Sequence, residues 1–164
     1  MAKKSRRSFF ESHNPVMKEE AFQKSAWEAG QAGLVIEKMT ASQLDDLKAI
    51  DDAEKSAKAD FDQHNAIKFS GQFHEAIIAI TGNKILVEFM HNLISQSALI
   101  EAVYGSDQNN SSICQGHTEL LVLMEAGKVL ESQKWMDLHL HEVESNLDFS
   151  PQKADAINFA KVFF

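Results

Sequence analysis

Apolar residues recur at three- and four-residue intervals through most of the stretch between Pro15 and Pro151, a spacing that lines one face of an α-helix. No proline interrupts that stretch, so nothing in it forces a helix to break. The periodicity predicts helices over 17–38, 41–58, 60–81, 84–104, 112–126 and 128–147. Their connections are short, and the predicted fold class is therefore all-α, an antiparallel bundle of about six helices. Thr40-Ala41-Ser42-Gln43 has the form of a capping box and should start the second of them. Gly82-Asn83 and Gly127 mark turns, and the small polar run from Gly105 to Ser112 reads as a loop bordering a pocket mouth, with Ser111 or Ser112 as the next cap.

Outside the periodic region the pattern changes. Residues 1–16 form a flexible tail whose basic residues are Lys3, Lys4, Arg6 and Arg7, residues 17–147 form the bundle, and residues 148–164 form an apolar tail or short helix starting at Ser150-Pro151. With Ile157, Phe159, Val162, Phe163 and Phe164, that last segment is expected to dock on the bundle or on a neighbouring subunit.

Composition narrows the function. The 164 residues are 44% hydrophobic, enough for one domain with its own core. A formal net charge of −8 sets the surface against nucleic acid and anionic membrane. Cys114 is the single cysteine, which excludes an internal disulfide and points to a reducing compartment. No apolar run reaches the roughly 18 residues of a membrane span and no signal peptide is visible, so a cytoplasmic protein is expected.

Candidate chemistry rests on three histidines. His117 stands ten residues before Gly127 and His139 twelve after it. At about 1.5 Å of rise per residue, antiparallel packing brings them to similar heights, roughly 15 and 18 Å from the turn. His117 keeps register with Leu120, Leu121 and Met124, and His139 with Trp135, Met136 and Val143, so both face inward. His74 shares a face with Phe73, Ile77, Ile78 and Thr81 on an earlier helix. Three buried imidazoles need either separate hydrogen-bond partners, as ordinary core histidines have, or a shared cation. Spacing leaves both readings open.

Other candidates are weaker. His13, His64 and His141 read as surface residues. Glu88 and His91 have the Glu-x-x-His spacing of di-iron bundles, but no second such pair exists. Cys114, three residues before His117, reads as packing in preference to a fourth ligand, and no residue is marked out for catalysis.

Phe69-Ser70-Gly71-Gln72-Phe73-His74, followed by Thr81-Gly82-Asn83-Lys84-Ile85-Leu86, resembles the Phe-His and Gly-Asn-x-x-Leu landmarks of FCD, the C-terminal effector-binding domain of the FadR subgroup of GntR-type bacterial transcription regulators. His117 to Leu121, Gly127, and Met136-Asp137-Leu138-His139-Leu140 resemble that family's histidine, its glycine ten residues on, and its His-Leu pair at twenty-two. Trp27-Glu28 and Thr40 to Leu44 extend the likeness over residues 18 to 147.

The resemblance implies a helical bundle in which an aspartate and three histidines hold a divalent metal, Zn²⁺ or Ni²⁺, that helps bind a small carboxylate effector. Carried onto this chain, the metal ligands are His74, His117 and His139, with Ser70 at the aspartate position and Asn83 as a further ligand-binding residue. Lys24 and Ser25 occupy the neighbourhood of the family's first-helix arginine. A homodimer is implied, without enzymatic activity. Direct DNA contact is not expected, because too few residues precede the first predicted helix to hold a winged helix-turn-helix. The alternative is a metal-free dimerisation or interaction module with a vestigial pocket.

Overall fold

In the computed structural model, which describes residues 31–105 and 116–148, the helical stripes close on one another through their apolar faces. Six helices form among these residues: α1 (Ala32–Lys38), α2 (Ala41–Ala59), α3 (Gln63–Ile80), α4 (Lys84–Tyr104), α5 (Thr118–Glu125) and α6 (Val129–Ser145). The part of the first predicted helix before Gln31, the loop residues 106–115 with Cys114, and both terminal segments lie outside the described residues.

Local chemistry accounts for the helix ends. Thr40 Oγ1 accepts from the Gln43 backbone N–H while the Thr40 N–H donates to Gln43 Oε1, the capping box that the sequence predicts. The helix after it starts later than predicted, because Phe61 takes a left-handed φ of 59° and Asp62 then caps the chain by accepting from Asn65 N. After α5 the chain turns at Gly127, φ 70°, whose N–H donates to Met124 O while Lys128 N–H donates to Leu123 O. This Schellman arrangement needs a residue that tolerates positive φ, which glycine supplies without strain.

α2 packs along α3, α3 along α4, and α5 along α6, with α2 also meeting α5 and α1 meeting α3 and α6. The main core joins Val35, Leu47, Phe73, Ile77, Leu121 and Met136, one or more residues from each of α1, α2, α3, α5 and α6. A smaller cluster of Ile78, Met90 and Ile94 seats α4 on the far side of α3. Among the described residues no helix is long and apolar enough to cross a membrane.

Candidate metal centre

The antiparallel return of α6 beside α5, with α3 packed across the same core, brings His74, His117 and His139 together. Their relative exposures are 7%, 0% and 4%. Ring centroids lie 5.0 Å apart for His74 and His117, 5.4 Å for His74 and His139, and 4.7 Å for His117 and His139. One nitrogen from each ring falls within 4.8 Å of the other two, a set able to close on a single ion. Aromatic neighbours fix two of the rings: Phe73 stacks on His117 at 3.9 Å and Trp135 on His139 at 4.9 Å. Nε2 of His117 is buried and meets no hydrogen-bond partner, a costly arrangement for a polar atom that a cation would relieve.

His117 departs from the sequence expectation in one respect: it is the N-cap of α5 and not part of its body. Two acids on α2, absent from the sequence-based site, hold it there. Asp51 accepts the His117 backbone N–H through Oδ1 and the Thr118 hydroxyl through Oδ2, the latter at 2.7 Å. Glu54 Oε2 lies 2.9 Å from His117 Nδ1. Both acids are at most 2% exposed and each is ion-paired one turn on, Asp51 with Lys55 at 2.7 Å and Glu54 with Lys58. The acids could in principle gather a second cation with His117, but the two lysine ammonium groups already balance their charge. Gly116 makes the grip possible, since at φ 84° a Cβ there would stand 2.5 Å from Asp51 Oδ1.

A signal for this clamp exists in the sequence. Leu44, Leu47, Asp51 and Glu54 share one inward stripe of α2, so acids occupy positions that the periodicity reserves for apolar side chains.

Electrostatics favours neutral imidazoles at His74 and His139. Burial, reinforced by the charge of His117 and opposed by that of Glu54, lowers the pKa of His74 from 6.5 to about 3. Burial, then His117, His74 and Lys58, holds His139 well below 6.5. Burial raises the Glu54 carboxyl, but the His117 hydrogen bond and charge, together with Lys58, outweigh it and hold the group at about 2. Metal ions bind the neutral ring, so protons compete weakly at His74 and His139.

A pH dependence follows for the metal-free protein. Each of the two histidines takes up a proton near pH 6.5 when unfolded but resists it when folded, so stability is full above about pH 6.5 and declines as pH falls toward 3. The slope is about 1.4 kcal/mol per pH unit for each group, to which Glu54 adds below 4.5. Urea melts at several pH values from neutrality down to about 4.5 check this slope, and a flat profile would mean that the rings carry protons in the fold.

The remaining predicted site residues divide. Ser70, one turn before His74, lines a cleft of about 140 Å³ between α2, α3, α4 and α6, with His139, Lys58 and Glu101 also in its walls. It also borders a void of about 40 Å³ beside His74, where the buried Ser97 hydroxyl meets no hydrogen-bond partner. Asn83 is not brought to the histidines: it is exposed and caps α4, its Oδ1 accepting from Leu86 N. His91 is exposed and pairs with Glu75 at 2.7 Å instead of Glu88, and His64 and His141 are exposed as expected.

Searches of curated proteins and of solved structures found no match. A sequence model of the FCD domain matches residues 25–142, which takes in α1 to α5, most of α6 and all three histidines. With that match over most of its length and an all-helical fold, the chain belongs to the FCD domain family, the effector-binding region of GntR-type transcription regulators.

Proposed function

We propose that this domain senses a small organic acid through a divalent metal, Zn²⁺ or Ni²⁺, held by His74, His117 and His139. The observation that carries the reading is the convergence of three buried rings, one with an unpartnered Nε2, beside a cleft that His139 lines. Three nitrogen donors leave a coordination position for a water or a ligand oxygen, and imidazole suits both metals. An acid entering the cleft would meet the metal, the Ser70 hydroxyl and the Lys58 side chain, whose ammonium group is paired with Glu54. Asn83 caps α4 and is not among the residues that line the cleft.

The sensing unit spans residues 17–147, flanked by the basic tail and the apolar C-terminal segment, and works in the cytoplasm as a homodimer. In a regulator carrying it, effector binding would shift the relative placement of two subunits, which requires that the acid bind one arrangement more tightly than the other. The domain performs no chemistry on its effector and does not touch DNA itself.

Elemental analysis of the purified protein, with thermal melts before and after a chelator, tests the reading. The expected result is about one zinc or nickel per chain, and a melting temperature several degrees lower after chelation. A screen of small carboxylates against the loaded protein should then raise the melting temperature further. Metal-free protein whose melt ignores both added metal and chelator would instead favour the dimerisation module, the alternative to which Ser70 at the aspartate position points.

A further inference from the structure

We propose that Glu54 is the positioning residue of this centre: by accepting the Nδ1 proton of His117, it commits the Nε2 lone pair of that ring to the point shared with His74 and His139. The inference rests on the metal reading above and assigns a role to an acid outside the three ligands.

A neutral imidazole has one N–H and one lone pair, and the partner of one nitrogen decides which the other carries. Glu54 Oε2 stands 2.9 Å from His117 Nδ1, while its other oxygen, Oε1, takes the Lys58 ammonium. A carboxylate held between a cation and a ring nitrogen accepts from both, so Nδ1 is the donor and Nε2 bears the lone pair. The ring cannot easily turn to exchange the two. Phe73 stacks on it with an interplanar angle of 18°, and Asp51 grips the backbone N–H of the same residue. His117 is therefore set for a metal before one arrives, and the carboxylate behind it makes Nε2 a more basic donor. Lys58 links this relay to the cleft, since it both pairs with Glu54 and lines the cleft wall.

Two measurements test the assignment. A long-range ¹H–¹⁵N spectrum of the metal-free protein should show His117 as a single tautomer protonated at Nδ1; a ring protonated at Nε2, or one averaging between tautomers, overturns the proposal. Competition with a chromophoric chelator then gives the zinc affinity of the wild type and of Glu54→Gln, which keeps the volume and an acceptor oxygen but not the charge. Zinc binding should weaken about 10- to 100-fold in the variant, with His74 and His139 giving unchanged spectra. Equal affinity overturns the proposal while leaving the three-histidine site standing, whereas a wild type without zinc affinity overturns the metal reading itself. If Glu54→Gln does not fold, the tautomer in the wild type and in Lys58→Met, which keeps the Glu54 to His117 bond, decides alone.

Discussion

Replacement of His117 by alanine is expected to remove metal binding and to destabilise even the metal-free protein by about 1–3 kcal/mol, the loss of one hydrogen-bond partner from a buried carboxylate that keeps its lysine. The two effects have separate causes. Metal is lost because two imidazoles remain, one on α3 and one on α6, and no other His, Cys, Asp or Glu joins both of them among the described residues. Stability is lost because Glu54, 1% exposed, keeps its charge but loses the ring that accounts for much of its lowered pKa. The side chain of His117 also leaves a void against Phe73, whose ring it stacks on. His139→Ala supplies the comparison, since it too removes a ligand but leaves Asp51 and Glu54 with their partners. Chelator-treated His139→Ala should therefore be the more stable of the two in urea melts, while neither variant retains zinc on dialysis. Equal stabilities would mean that the Glu54 to His117 pair contributes nothing to the fold.

Replacing Ser70 by aspartate is expected to tighten zinc binding by about 10- to 100-fold, the change that a charge-assisted contact of about 1.5–3 kcal/mol produces. Ser70 lies one turn before His74 and borders both the cleft and the void beside that ring, so a carboxylate there would share the helix face that carries His74. The gain has an opposite side: without metal, the new charge sits beside rings that burial keeps neutral, and the chelated variant should melt at or below the wild type. The difference between loaded and chelated melting temperatures is thus the quantity to compare. A variant with unchanged affinity would show that position 70 does not reach the metal, and that the cleft, not the ion, faces it.

Much of the fold was legible because helices are built from local interactions. The spacing of Leu120, Leu121 and Met124 places one face inward whatever that face later meets, and all three are buried. The capping box at Thr40 and Gln43 is a contact within four residues, so sequence alone predicts it. The start of α3 was less legible, because Phe61 is not a residue whose type announces a left-handed turn. The histidine cluster lies between these cases. Its members face inward by periodicity, and a turn at Gly127 equalises their heights, so the sequence brings them near one another.

The sequence by itself therefore determined the helices, their inward faces and the three candidate ligands, since periodicity, caps and turn residues act over a few positions and carry their own physics. Only the tertiary structure decided what surrounds those ligands. Asp51 and Glu54 precede His117 by more than sixty residues, and an acid on α2 pairs with a lysine, solvent or an imidazole according to which helix packs over it. It likewise set Lys58 in the wall of the cleft and Asn83 on the cap of α4. A buried charge is stable only beside a partner of opposite charge or hydrogen-bonding capacity, and that partner is chosen by packing across the whole chain.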